Sequence, residues 1–319
     1  MNVENATTEV IVKTITHEAA GIRSYELRCK DGQPLPRFDA GSHVDLHLAN
    51  GLVRSYSLLN DPATSDHYRV AVALDVKSRG GSRHIHDCIQ PGDRLMVGSP
   101  RNNFALDETA DLSVFVAGGI GITPFLAMIK RLDSLGKPWM LYYGARDLDS
   151  CAFHNELATR GEQVKIRLES AQEPTERRWD IRKIVQTHTS AHFYCCGPSP
   201  MLDAFVAATA DIRPENVHLE HFSAQADAAL DGGFVVHLSK AQKTVTVLAG
   251  RTILDTILDS GVEVMNSCRE GVCGACEVKV LAGTPDHRDS ILSESERSNA
   301  KTMFICVSGC KSKELVLDL

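Results

Sequence analysis

The sequence predicts a multidomain chain: an antiparallel β-barrel or sandwich first, a parallel α/β sheet next, and a small β-rich segment last. Three observations carry this reading. Short strand-like runs between turn formers fill residues 8 to about 100. A largely apolar run, Leu112–Val116, then leads into a glycine loop and an apolar helix. Four cysteines, Cys268, Cys273, Cys276 and Cys306, gather near the end of the chain.

In the first segment Glu9–Thr16, Ile22–Cys29, His43–Leu48, Val53–Leu58 and Tyr68–Ala73 read as strands. Asp31-Gly32, Asn50-Gly51 and Asn60-Asp61-Pro62 separate them. Several short strands at such spacing form antiparallel sandwiches or barrels. A helix is expected over Ser82–Ile89, stopped by Pro91-Gly92-Asp93.

The rhythm changes after residue 110. Leu112–Val116 reads as a strand buried on both faces, and Trp139–Tyr143, Val164–Leu168 and His192–Cys195 read as further strands, with helices between them, among them Ala152–Thr159 and Met201–Ala210. Ser223–Leu230 reads as a linker. Phe234–Leu238 and Thr244–Leu248 then suggest a hairpin and Ile253–Ser260 a short helix. The expected domains are 1–106, 107–224 and 225–319.

Composition narrows the function. The chain has 319 residues and a net charge of −7, which argues against broad nucleic-acid binding. Met1–Thr8 lacks the apolar core of a signal peptide, and no apolar run approaches the ~20 residues needed to cross a bilayer. A cytoplasmic protein with no membrane partner is expected, its ten cysteines serving as thiols rather than disulfides.

Cys268, Cys273 and Cys276 have the spacing C-x₄-C-x₂-C, with Cys306 downstream, the plant-type arrangement for two irons and two sulfides. Gly271 and Gly274 give the loop backbone freedom. A zinc site is the competing reading, but zinc knuckles come in pairs and no second one surrounds Cys306. Cys310 competes as fourth ligand.

Val114–Thr123 followed by Pro124 places Gly118, Gly119 and Gly121 at a strand-to-helix turn, where free N–H groups and a partial positive charge suit a phosphate. Tyr194-Cys195-Cys196-Gly197-Pro198 is a second strand end on the same sheet edge, where open α/β sheets bind ligands. Tyr143-Gly144-Ala145-Arg146-Asp147 offers both a cation and an acid to a ribose.

Ser267–Cys276 resembles the cluster loop of plant-type ferredoxins. That resemblance implies a β-grasp fold, one-electron transfer and Cys306 as fourth ligand. The glycine loop and the Cys-Gly-Pro turn resemble the nucleotide lobe of the ferredoxin–NADP reductase superfamily, which implies a nicotinamide beside Cys196, Gly197 and Pro198, and a dinucleotide over Gly118, Gly119, Gly121 and Thr123. Arg54-Ser55-Tyr56-Ser57 resembles the flavin strand of that superfamily. It implies Arg54 at the flavin phosphate, Tyr56 on the ring and Ser57 at the reacting face, with Ser57 and Cys196 as the catalytic pair. Ser78–His86 adds Gly80, Gly81 and Ser82 as a phosphate turn, with His84 and His86 in surface or helix-packing roles rather than acid–base ones. Glu220-His221-Phe222 resembles the terminal aromatic region, with Phe222 at the flavin.

The order of the three modules most resembles the phthalate dioxygenase reductase and vanillate demethylase reductase group. This implies FMN, NADH and a [2Fe-2S] cluster, and a separate terminal oxygenase with a Rieske centre and mononuclear iron as partner. An FAD-containing reductase serving a diiron oxygenase is the alternative.

Overall fold

The computed structural model describes residues 7–64, 66–75, 80–173 and 177–319. It divides into two compact units, one running to Glu220 and the other His221–Leu319.

The first unit opens with β1 (Thr7–Ala19), β2 (Ile22–Cys29), β3 (His43–His47), β4 (Val53–Ser57), β5 (Tyr68–Ala73), α1 (Gly81–Cys88) and β6 (Arg94–Gly98). The strands form one antiparallel sheet in the order β4-β3-β6-β1-β2-β5. A bridge between Leu58 and Val70 joins its two edges, so the sheet closes as a barrel. The 13-residue β1 breaks register between Val12 and Thr14 and between His17 and Ala19. Such bulges bend a strand around a barrel, which lets β1 pair with both β2 and β6. Alternating side chains of these strands, including Val10, Val12, Tyr25, Leu27, Val44 and Leu46, fill the interior.

β7 (Ser113–Gly118), α2 (Thr123–Leu135), β8 (Trp139–Ala145), α3 (His154–Ala158), β9 (Val164–Leu168), α4 (Ile181–Thr187), β10 (His192–Cys196), α5 (Ser199–Ala208) and β11 (Val217–Glu220) follow. They build a parallel sheet in the order β11-β10-β7-β8-β9. Every residue of the central strand β7 is buried, as expected of a largely apolar strand covered on both faces. On α2, Phe125, Leu126, Met128, Ile129 and Leu132 turn inward. Each such side chain contributes roughly 1.5–3 kcal/mol on burial.

The barrel and the parallel sheet share one apolar core. Ala19, Ile22, Ala40, Leu59 and Ala71 from the barrel join Phe115, Phe125, Met128, Ile129 and Phe153 from the sheet layer. Strands β6 and β11 and helix α4 are absent from the sequence reading: Arg94–Gly98 alternates weakly, and Val217–Glu220 is only four residues long.

The second unit holds β12 (Phe234–Leu238), β13 (Lys243–Val247), α6 (Ile253–Asp259), β14 (Glu277–Ala282), β15 (Pro285–Asp286), α7 (Glu294–Asn299), β16 (Thr302–Phe304), β17 (Gly309–Cys310) and β18 (Glu314–Leu317). The main sheet runs β13-β12-β18-β14-β16, with β12 and β18 parallel. Ile253, Leu254 and Ile257 of α6 pack on it. A mixed sheet crossed by one helix is the β-grasp arrangement that the ferredoxin resemblance implied. Among the described residues no helix is long and apolar enough to cross a membrane.

Gly41 sits at φ +94°, and a Cβ there would lie 1.9 Å from the Phe104 carbonyl oxygen, at the seam between barrel and sheet. Gly41→Ala is therefore expected to lose about 2 kcal/mol or more of stability, from strain and overlap together. A thermal melt within 1 °C of wild type would contradict this packing.

Candidate cofactor sites

The glycine loop owes its sequence to close approach. A Cβ on Gly121 would fall 2.2 Å from the Cys196 carbonyl oxygen, and one on Gly118 would fall 2.7 Å from both Met201 Sδ and Pro198 Cδ. Any side chain there would push the loop off the Cys196-Gly197-Pro198 turn. Gly119 differs: it has φ +55° and open space where a Cβ would be. Thr123 closes the loop by donating its hydroxyl to Ile120 O at 3.0 Å.

These segments edge a cavity of about 530 Å³. Gly118, Gly119 and Pro198 line it, as do Gly144, Ala145 and Arg146 at the end of β8. Thr123 and Cys196 are buried behind that lining, with Cys196 fully buried. The cavity thus follows the carboxyl ends of neighbouring parallel strands, where a dinucleotide crosses such a sheet. Sequence reasoning missed several of its walls. Arg177, Arg178 and Trp179 close it from the segment before α4, and Ala20, Gly21 and Leu74 close it from the barrel. The Arg167 guanidinium lies 4.2 Å from the Trp179 ring, which holds that wall in place. The Arg-Arg-Trp run was the available signal. Asp147 instead turns back to accept from Ser150 N at 2.8 Å.

Burial keeps the Cys196 thiol neutral by pushing its pKa well above the ordinary value, and the nearby Glu220 carboxyl adds to the effect. Glu220 faces Cys196 across β10 and β11. Desolvation pushes its carboxyl up to about 8, and its Oε2 is buried without a hydrogen-bond partner. The sequence reading passed over Glu220 in favour of Phe222, which opens the second unit and is exposed.

In the barrel, β4 pairs with β3 so that Tyr56 faces Val44 and Ser57 faces His43. Ser57 is buried. Tyr56 packs on the barrel core, and desolvation raises its phenol pKa far enough to keep it protonated. Ser55 turns the other way and donates to Asp45 Oδ1 at 2.6 Å. Arg54 lies against the first turn of α1: a Cβ on Gly81 would come 2.6 Å from its Nε. Gly80 is the N-cap at φ +96°, and no acid occupies the first turn. Guanidinium and helix N-terminus therefore meet at one place, which fits a phosphate. Ser82 Oγ accepts from Asp75 N at 3.2 Å. His86 is buried, its ring on Val72 O at 2.9 Å, a packing role. Ser78 and Arg79 lie outside the described residues.

In the second unit all four thiols are buried. They stand two by two: Cys268 hydrogen-bonds Cys273, and Cys276 hydrogen-bonds Cys306. Cys268 N reaches Cys273 Sγ at 3.5 Å and Glu270 N reaches Cys268 Sγ at 3.3 Å. Two thiolates for each of two irons, with backbone N–H groups on the sulfurs, is the donor set a [2Fe-2S] cluster requires. Cys310 turns away and donates to Ser312 O at 2.9 Å. The loop is held open by backbone that side chains resist. Arg269 has φ +58° and is tied to Asp255 at 3.1 Å, and Gly271 has φ +69° with Val307 and Asp289 against it.

Fold and sites together define the class: an NAD-binding oxidoreductase joined to an iron–sulfur domain. Residues 115–207 match the oxidoreductase NAD-binding domain model, and 236–311 match the 2Fe-2S iron-sulfur cluster binding domain model. The chain is 47% identical to phenoxybenzoate dioxygenase subunit beta of Ectopseudomonas oleovorans, over 97% of this chain and 96% of that one. It is 45% identical to tetrachlorobenzoquinone reductase of Sphingobium chlorophenolicum, with 98% of each covered. The solved structure of phthalate dioxygenase reductase, described as modular for electron transfer from pyridine nucleotides to [2Fe-2S], matches with 37% identity, TM-score 0.74 and 99% of each chain covered. The chain belongs to the phthalate dioxygenase reductase and vanillate O-demethylase reductase family.

Two outcomes are expected. Cys306→Ser loses the visible iron–sulfur absorption and about half or more of the bound iron, whereas Cys310→Ser keeps both; the reverse pattern would reassign the fourth ligand. The raised Glu220 pKa means that the folded state holds a proton the unfolded state releases above pH ~4.3. Its contribution to stability therefore falls as pH rises from about 4.5 to 8. Glu220→Gln should flatten that part of the melting profile, and an unchanged slope would place the ionisation elsewhere.

Proposed function

We propose that this chain supplies electrons from NADH, through FMN and a [2Fe-2S] cluster, to a separate terminal oxygenase of the Rieske type in the cytoplasm. The observation that carries this reading is a two-by-two set of buried thiols in the same chain as a glycine-edged dinucleotide cavity. The match to reductases of oxygenase systems supports the partner.

The chain's own residues divide the work. Gly118, Gly119, Pro198 and Arg146 hold the dinucleotide, with Gly121, Thr123 and Gly197 shaping the loop and turn behind them. Arg54, Gly80, Gly81 and Ser82 hold the flavin phosphate at the start of α1. Tyr56 offers a protonated aromatic face, and Ser55 braces the strand through Asp45. Ser57 and the neutral Cys196 set the polarity around the reacting atoms, Ser57 as a hydroxyl donor and Cys196 as a buried thiol. Cys268, Cys273, Cys276 and Cys306 hold the irons. When bound, the flavin accepts electrons as a pair and releases them singly, which the one-electron cluster needs.

The oxygenase substrate, an aromatic acid, aryl ether or quaternary amine, is chosen by the partner. The tetrachlorobenzoquinone reductase relative supports a second reading with a quinone as acceptor.

Reconstitution decides between them. Purified protein with NADH should drive turnover of a Rieske oxygenase, and flavin extraction should yield FMN. Failure with every Rieske oxygenase, beside fast reduction of a quinone, would overturn the partner assignment. Ser57→Ala should lower NADH oxidation by about 10²-fold with flavin retained; a change under twofold would remove Ser57 from the catalytic pair.

A further inference from the structure

One polar network crosses the seam between barrel and parallel sheet, and both cofactor-bearing segments end in it. Arg69, on β5, donates to Glu18 of β1 at 2.7 Å, within the barrel. Across the seam the same guanidinium lies 4.0 Å from Glu156 of α3 and 5.5 Å from the centre of the Phe153 ring. Phe153 has φ +60°, a strained backbone for a large side chain, and it caps α3. Lys130 of α2 meets the other oxygen of Glu156 at 3.6 Å. Its ammonium also donates to the Leu59 carbonyl oxygen at 3.2 Å.

The placement of these groups gives the network its meaning. Leu59 lies two residues beyond Ser57, and its N–H donates to the Arg69 carbonyl at 2.8 Å. Arg69 N in turn donates to Asn60 Oδ1 at 2.9 Å. The end of the flavin strand is thus held by Arg69 on one side and by Lys130 on the other. Lys130 belongs to the helix headed by the glycine loop. Glu156 links the two cations.

We propose that Lys130, Glu156 and Arg69 form a positioning clamp that fixes the flavin strand relative to the nucleotide loop, and so sets the approach of nicotinamide to flavin. This rests on the function proposed above. The residues touch neither cofactor site; they act through Leu59 and α2. The apolar core already supplies the cohesion of the seam, and partly exposed ion pairs add little stability. What they add is registry, because a polar contact fixes direction where an apolar face can slide. A displacement of about 1 Å at a reacting centre can cost on the order of 10²-fold in rate.

The test uses the full-length holoprotein, mixed anaerobically with NADH in a stopped-flow instrument while flavin bleaching is followed. Lys130→Met keeps the stem and removes the ammonium; Glu156→Gln keeps the shape and removes the charge. Each is expected to lower the limiting bleaching rate about tenfold, weaken the long-wavelength charge-transfer absorbance, and leave the NADH dissociation constant within about twofold. The double variant should be no slower than the slower single, as members of one unit are non-additive. Arg69→Lys should recover much of the rate lost in Arg69→Met. A limiting rate within twofold of wild type in folded, flavin-loaded Lys130→Met and Glu156→Gln would overturn the clamp. So would a loss confined to NADH affinity. Wild-type protein that NADH does not bleach would instead overturn the proposed function.

Discussion

The first unit depends on a contact that only glycine permits. The loop after β7 lies so close to the turn after β10 that a single Cβ at Gly121 would overlap the Cys196 carbonyl. That contact draws two strand ends together and leaves the cavity along the sheet edge. The apolar seam then brings the barrel against the same edge, so that the hairpin at Ala20-Gly21 becomes a wall of the cavity. Steric exclusion at a few glycines and burial along one seam place the loop after β7 and the strand β4 in one unit.

The cluster loop uses a different device. Left-handed backbone at Arg269, Gly271 and Gly274 turns the chain so that sulfurs and N–H groups point to a common interior. The thiols are buried and paired, which is an unfavourable place for them as charged groups without a metal. Iron supplies the compensating charge, and the loop is shaped for it in advance.

Much of this was legible in the sequence because the relevant signals are local. The largely apolar run of β7, the glycines after it and the cysteine spacing each report on a few consecutive residues. The preference for Cys306 over Cys310 rests on resemblance, and local spacing alone does not choose between them; in the fold Cys310 has its own partner in Ser312. What stayed hidden depends on residues far apart in the chain. Arg178 and Leu74 line one cavity from segments about a hundred residues apart, and no periodicity announces that. Nothing local marks Glu220; its perturbed carboxyl follows from burial beside Cys196. Lys130 and Glu156 carry no local signal in the sequence; the fold brings Arg69 to them across the seam.

The account stands on electrons passing from reduced nicotinamide to a two-iron cluster inside one chain. The most direct measurement is electron paramagnetic resonance on protein purified without oxygen and frozen after NADH is added. The account expects the signal of a reduced [2Fe-2S] centre to appear with NADH alone, at close to one spin per chain. Protein that carries zinc in the four-cysteine loop, or whose cluster responds to dithionite but never to NADH, would contradict it.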